Sequence, residues 1–172
     1  MMREPGSEKD MAHLTVFGGL WLSAMAPAAA GKRHAEVEEY MGEARIAALP
    51  FKYGDRHDYQ VSFGPSQMGM QWAHAYATLK EPGRALAASR RAARKDLLPI
   101  SWGAMHLDVA QANLDMKRTP AAVGALLQAL ETGGQTWASH QGQWRDLVAD
   151  AVQAETRMSA GARKLAKAAG IR

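Results

Sequence analysis

Hydrophobic residues recur every three or four positions through most of the chain, and this spacing predicts helices rather than strands. In the first such segment Leu14, Phe17, Trp21 and Met25 fall on one face, as in a helix packed on a core. Proline and glycine separate the segments, because proline opens helices and both residues end them. The pattern therefore predicts eight helices. Their expected bounds are 7–30, 34–49, 65–79, 84–95, 101–116, 120–132, 143–157 and 159–170.

Short connections join these helices in pairs, so the partners of a pair must lie antiparallel. We therefore predict about four helical hairpins in one domain at residues 7–172, preceded by a flexible tail at residues 1–6. Residues 51–64 break the helical pattern, with aromatic and charged side chains alternating. Because so many aromatic side chains are rarely left in water, we expect an ordered loop there.

The second and third hairpins share a repeated arrangement of small residues. Ala73 and Ala110 are 37 residues apart, and each is followed twelve positions later by another alanine, Ala85 or Ala122. Alanine at these positions allows the two helices of a hairpin to approach closely. The arrangement resembles the tetratricopeptide repeat. It predicts an all-α fold, a tetratricopeptide-like, right-handed α-α superhelix.

The first helix of each hairpin lines the concave side of a tetratricopeptide stack, so this resemblance assigns that side to the third and fifth helices. Their apolar and amide side chains suit an extended peptide, because amides bond its backbone and flexible apolar groups adapt to its side chains. An equally open alternative is that the same residues pack against the first helix or the loop at 51–64. The candidate partner-binding residues are Gln67, Met70, His74, Leu107, Gln111 and Leu114.

Two short motifs carry a closer resemblance. Phe63–Ser66 reads Phe-Gly-Pro-Ser, and Glu81–Leu86 reads Glu-Pro-Gly-Arg-Ala-Leu. Both are similar to the C-terminal tetratricopeptide-like domain of actinobacterial Xre-family helix-turn-helix transcriptional regulators, and the similarity extends over residues 18–171. Members of that family begin with a DNA-binding domain, which does not fit before residue 18. The resemblance therefore implies the sensory or partner-binding half of such a regulator.

Composition and motifs offer little support for catalysis. The chain has no cysteine, which excludes disulfides and thiolate zinc sites. It also lacks the paired histidines of helical zinc proteases and the glycine-rich loop that holds phosphates. We therefore expect no enzymatic activity, cofactor or metal. The most reactive segment is His57–Tyr59, for which we favour a loop held by its aromatic residues, with its charges in solvent.

A basic stripe on the predicted fourth helix is the candidate nucleic-acid contact. A solvated helix face is the commoner explanation for such a stripe, and the formal net charge of +4 is modest. We therefore do not expect direct DNA binding. The stripe consists of Arg84, Arg90, Arg91, Arg94 and Lys95.

The apolar run from Leu14 to Ala30 raises the question of export. The residues before it include Glu4, Glu8 and Asp10, so they lack the positive charge of a signal peptide. The run is also too short and too interrupted to span a membrane. We expect a cytoplasmic protein without membrane association.

These features favour a non-enzymatic protein- or peptide-binding regulatory module, related to the sensor half of helix-turn-helix regulators. They leave two alternatives open: a nucleic-acid-associated protein that uses the basic stripe, and an inert remnant of a truncated regulator. The sequence also leaves open whether the chain forms a homodimer.

Overall fold

The helices of the chain follow its hydrophobic pattern. The computed structural model describes residues 8–51 and 54–171, and in this part eight α-helices and one short β-hairpin form. The predicted all-α fold is confirmed, whereas the predicted tail at residues 1–6 lies outside the described residues. The elements are α1 (Glu8–Ala30), α2 (His34–Ala47), β1 (Arg56–Asp58), β2 (Val61–Phe63), α3 (Pro65–Thr78), α4 (Pro82–Ser89), α5 (Pro99–Asp115), α6 (Thr119–His140), α7 (Gly142–Gln153) and α8 (Ala160–Ala169).

Consecutive helices pack against each other in pairs: α1 with α2, α3 with α4, α5 with α6, and α7 with α8. The first helices of the pairs also meet in order, α1 on α3, α3 on α5 and α5 on α7. The four alanines of the repeat, Ala73, Ala85, Ala110 and Ala122, are at most 1% exposed. These small side chains are buried, as the repeat arrangement requires.

The hydrophobic core extends along the stack in two clusters that share α5. One cluster lies among α1 to α4 and includes Met105 and Ala112 of α5. The other lies among α5 to α8, with Leu107 of α5 and the fully buried Trp144 of α7. Helix α5 therefore joins the two halves of the stack. None of the helices described combines the length and apolar character that crossing a membrane requires.

The aromatic segment expected to be an ordered loop at 51–64 contains a β-hairpin within its described part, residues 54–64, while residues 52 and 53 lie outside the described residues. Strands β1 and β2 pair antiparallel, with Arg56 opposite Phe63. Phe51 and Phe63 are buried and their rings meet edge to face, 5.3 Å apart. The hairpin packs on Gly18 and Gly19 of α1, where a methyl group would overlap the ring of Phe63 and the side chain of Val61 respectively.

The fourth helix is shorter than predicted. Helix α4 ends at Ser89, whereas the sequence pattern extends to residue 95. The physical reason is a hydroxyl at the start of α3: Ser66 Oγ accepts a hydrogen bond from Ala93 N (3.0 Å) and donates one to Asp96 Oδ2 (2.9 Å). These bonds hold the following segment against α3, and a 3-10 turn forms at Arg94–Asp96.

The sixth helix is longer than predicted, since α6 passes the glycines expected to end it and continues to His140. Gly134 interrupts the regular helix with a positive φ of 79°, so the chain kinks there. Trp137 packs against Gly133 and Gly103, which have no side chain to exclude its ring. This contact holds the second part of α6 against α5.

Helix α8 has the caps that the sequence predicts. Ser159 Oγ accepts a hydrogen bond from Ala162 N at 3.1 Å, which satisfies one free donor of the first turn. Gly170 ends the helix in the left-handed conformation, with φ 68°, a position that glycine adopts without strain. The preceding helix, α7, ends at Gln153, four residues before the predicted bound.

Candidate functional site

A polar seam lies between α3 and α5, where the sequence places the partner-binding residues. We define this seam by His74 of α3 with Asp108, Gln111 and Asp115 of α5. His74 Nδ1 lies 3.1 Å from Asp108 Oδ1, and Gln111 Nε2 donates to Asp115 Oδ1 at 2.9 Å. Asp108 is buried, while the side chain of His74 is 47% exposed. The imidazole of His74 is therefore accessible to solvent, while its Nδ1 lies beside a buried carboxylate.

The predicted partner-binding residues divide into two groups. Gln67 and Leu107 are 8% and 2% exposed, so they pack inside the fold and a partner cannot reach them in this conformation. His74 is exposed, and the other three are partly exposed; their binding role stays a prediction. The accessible four are Met70, His74, Gln111 and Leu114.

Asp108 is the seam residue that sequence reasoning missed. The repeat register turns Leu107 toward the concave side, but in α5 Leu107 points into the core and its neighbour Asp108 takes the position opposite His74. One residue corresponds to about 100° around a helix, so a register error of one replaces an apolar group by a carboxylate. The available signal was an acidic residue between two apolar ones, Leu107 and Val109.

His74 should stabilise the fold most strongly when it is protonated. The hydrogen bond to Asp108 raises the pKa of His74 above its ordinary value, and partial burial opposes this increase. A raised folded-state pKa gives a stabilisation that is complete below about pH 6.5 and lost as the pH rises through the folded pKa. His74→Gln should therefore cost more free energy of unfolding at pH 5.5 than at pH 8.5.

Urea unfolding of both proteins at the two pH values measures this difference. His106 has a pKa lowered by burial and so gives the opposite pH dependence, but it is present in both proteins and cancels in the comparison. A cost of His74→Gln that does not change with pH would contradict the role assigned to the His74–Asp108 pair.

An apolar surface lies on α1 beside the tip of the β-hairpin. We define this α1 patch by Phe17, Leu20 and Tyr59, whose exposed fractions are 47%, 64% and 71%. The three side chains border a shallow cavity of about 790 Å³, which is also lined by Asp10, His13, Leu14 and Val16. Exposed apolar groups gathered in one place are typical of interaction surfaces.

The exposure of Phe17 corrects the prediction that it lies on the buried face of the first helix. The sequence pattern treats Gly18 and Gly19 as interruptions of an apolar run. In the structure they are the centre of the buried face, because the hairpin packs on them. Phe17 is thereby displaced to the edge of the contact, whereas Met25, further along the helix, is 1% exposed as predicted.

The tip of the hairpin has an unusual backbone. Tyr59 and Gln60 form a two-residue turn and have positive φ angles of 49° and 64°. Such turns favour asparagine and glycine, because a bulky side chain is strained in the left-handed region. The backbone at Tyr59 is therefore locally strained, and the tyrosine at this position is exposed.

Polar contacts fix the hairpin to α1. Asp58 Oδ2 accepts hydrogen bonds from Thr15 Oγ1 (2.7 Å) and from Arg56 Nε (3.1 Å). The bonds from Arg56 and then Thr15 lower the pKa of Asp58, despite its partial desolvation. Arg56 also contacts Glu8 at the start of α1. Tyr59 is therefore presented by an anchored hairpin.

The reactive-looking segment His57–Tyr59 does not form a shared site. His57 Nδ1 lies 2.6 Å from Ser62 Oγ on the paired strand, and Asp58 faces Thr15 and Arg56. Tyr59 lies in the exposed turn. The expectation that the charges of this segment are in solvent is wrong for Asp58, because that carboxylate is fully engaged in holding the hairpin on α1.

The predicted basic stripe is not a face of one helix, since α4 ends before four of its five members. Arg84, the one member within α4, forms ion pairs with Glu38 and Glu81, and its guanidinium lies 4.1 Å from the centre of the Tyr76 ring. This arginine is therefore committed to contacts within the fold.

The other members of the stripe follow α4 and differ in their surroundings. Arg90 Nε donates to the carbonyl of Leu86, and Arg94 Nη1 donates to the carbonyl of Leu97. Lys95 is exposed in the 3-10 turn. The guanidinium group of Arg91 lies over the ring of Trp72. These positions do not make the continuous row of free cations that phosphate-backbone binding favours.

Comparison of the chain with protein-family models, with curated proteins and with solved structures found no match. Among the residues that the structure describes, no cluster of three or more histidine or acidic side chains is arranged to hold a metal ion. Functional inference therefore rests on the helical stack and on the surfaces described above.

Proposed function

We propose that this chain is a non-enzymatic protein- or peptide-binding regulatory module whose partner contacts the α1 patch. The observation that carries the proposal is Tyr59, a strained, 71% exposed tyrosine held beside two exposed apolar side chains of α1. Strained residues that a rigid surrounding holds in place are a feature of functional sites. Tyrosine is also among the residues that contribute most to protein interfaces.

The energetics of the α1 patch favour a partner with apolar side chains. Burying apolar surface is worth about 25 cal/mol per Å², so covering Phe17, Leu20 and the ring of Tyr59 provides a substantial driving force. The hairpin is already held by Asp58 and Phe63, so little ordering is needed when a partner binds. A complementary apolar face on a protein segment fits this surface.

The motifs at Phe63–Ser66 and Glu81–Leu86 support a regulatory setting, because they resemble the sensor domain of Xre-family regulators. A cytoplasmic location and a tetratricopeptide-like superhelix belong to the same proposal. Nucleic-acid binding has less support, since Arg84 is paired with Glu38 and Glu81 rather than available to phosphate.

Leu20→Ser should remove partner capture without affecting the fold, because Leu20 is 64% exposed and contributes little to the core. The matched control is Ile100→Ser, since Ile100 is 61% exposed but lies at the start of α5. Affinity purification from cells followed by quantitative mass spectrometry measures the captured proteins. The proposal predicts proteins retained by the wild type and by Ile100→Ser and lost with Leu20→Ser.

Tyr59→Asn separates binding from stability. Asparagine suits the left-handed turn position, so this variant should be as stable as the wild type or more so. It should nevertheless lose captured partner, because the aromatic ring is gone. Capture that is unchanged in both Leu20→Ser and Tyr59→Asn would refute the proposed function.

A further inference from the structure

Two arginines from different elements meet the same tryptophan. The guanidinium carbon of Arg45, on α2, lies 5.3 Å from the centre of the Trp72 ring, and that of Arg91, after α4, lies 5.1 Å from it. We name this arrangement, Arg45, Trp72 and Arg91, the basic-aromatic cleft. It brings α2, α3 and the segment after α4 to one place, although Arg45 is outside the basic stripe that the sequence indicates.

The cleft contains hydrogen-bond donors without acceptors. Within the described residues, neither Arg45 nor Arg91 forms an ion pair or a side-chain hydrogen bond. The side chain of Trp72 is 3% exposed, and its indole Nε1 has no hydrogen-bond partner. A buried donor without an acceptor costs free energy. Glu38, which lies on the same helix as Arg45, is already paired with Arg84. The N–H groups of Arg45, Arg91 and Trp72 therefore match a ligand that carries hydrogen-bond acceptors.

The space beside the cleft suits a small molecule. A cavity of about 410 Å³ is bounded by the three cleft residues and by the apolar side chains of Ala48, Leu49, Pro65 and Met68. A second cavity of about 230 Å³ shares Arg45, Trp72 and Arg91 with the first. Small-molecule sites in proteins have similar volumes and combine an apolar wall with a few polar groups.

We propose that the basic-aromatic cleft binds a small organic anion, a carboxylate or phosphate monoester with an apolar substituent. The forked guanidinium groups of Arg45 and Arg91 bind the anionic oxygens, since arginine matches carboxylate and phosphate in a bidentate manner. The apolar substituent lies against Leu49, Pro65 and Met68. This site is distinct from the α1 patch and does not depend on the proposed protein-binding function.

The indole N–H signal of Trp72 in ¹⁵N-labelled protein provides the test, with its assignment made from Trp72→Phe. The probes are octanoate, phenyl phosphate and inorganic phosphate. We expect octanoate, phenyl phosphate or both to shift this signal saturably, and inorganic phosphate to bind at least about tenfold more weakly because it has no apolar group. Comparison of the first two probes distinguishes a carboxylate from a phosphate ligand.

Arg91→Gln and Arg45→Lys should each weaken binding by about tenfold or more, the first by removing a charge and the second by removing only the guanidinium fork. The matched control is Arg145→Gln on α7, an exposed arginine whose loss changes the net charge equally. Circular dichroism melting checks that each variant is folded.

Three results would overturn the proposal. The first is the absence of a saturable shift with all three probes. The second is equal weakening by Arg91→Gln and Arg145→Gln, which would indicate a general charge effect. The third is a single-stranded oligonucleotide that binds more tightly than octanoate and phenyl phosphate and is lost with Arg91→Gln, which would assign the cleft to nucleic acid.

Discussion

Gly18→Ala should destabilise the protein by on the order of 1–3 kcal/mol, although alanine is the better helix former. A methyl group at this position would lie 2.1 Å from Cζ of Phe63 and less than 2.5 Å from two further atoms of its ring. Phe63 is fully buried, so its ring cannot move aside into solvent and the surrounding core must shift to make room. The clash should therefore outweigh the gain in helix propensity.

Gly42→Ala is the matched control for this prediction. Gly42 also lies inside a helix, α2, but nothing would come within 4 Å of the added methyl group. This variant should be more stable than the wild type by about 0.5–1 kcal/mol, because only the helix-propensity effect remains. Urea unfolding of both variants should give changes of opposite sign. Stabilisation by both would show that the hairpin does not pack on Gly18.

Ala73→Leu and Ala110→Leu should each lower the free energy of unfolding by on the order of 1–3 kcal/mol. Both alanines are fully buried, and the added bulk would force apart helices that are in close contact. Equilibrium unfolding in urea measures the change.

The control for these two variants is Ala104→Leu on α5, whose side chain is exposed and has room for the larger group. The repeat alignment also places Ala88 of α4 away from the helix crossing, but Ala88 is unsuitable as a control. Ala88 is 4% exposed, and its backbone packs closely on α3. A methyl group added to Gly69 would lie only 3.1 Å from the carbonyl oxygen of Ala88. Equal midpoints for Ala73→Leu, Ala110→Leu and Ala104→Leu would show that the repeat alignment does not describe the packing.

The helices could be predicted because their signals are local. Apolar spacing, Pro65 and Pro120 in the first turns of α3 and α6, and the caps of α8 are local signals that agree with the observed elements. Helices α4 and α5 each begin two residues before the predicted start, at Pro82 and Pro99. The end of α4 could not be predicted in this way, because the Ser66 hydroxyl that accepts a hydrogen bond from Ala93 N is 27 residues away in sequence. Tyr59 and Gln60 likewise lack the composition by which a hairpin turn is recognised.

The candidate sites were predicted less well than the fold, because they depend on the rotation of helices. One residue of register exchanges Leu107 for Asp108 at the α3–α5 seam. Phe17 is exposed because a glycine pair, which has no hydrophobic signal, is the centre of the buried face. Arg45 was missed because it and Arg91 come to the same Trp72 ring only after three separate elements have packed.

The affinity of a purified captured partner for the wild type, Leu20→Ser and Ile100→Ser tests the central proposal most directly. Isothermal titration calorimetry with folded proteins gives the three dissociation constants. We expect Leu20→Ser to weaken binding by at least about tenfold, equivalent to about 1.4 kcal/mol, and Ile100→Ser to bind as the wild type does. Equal affinities for all three proteins, or an equal loss in both variants, would contradict the assignment of binding to the α1 patch.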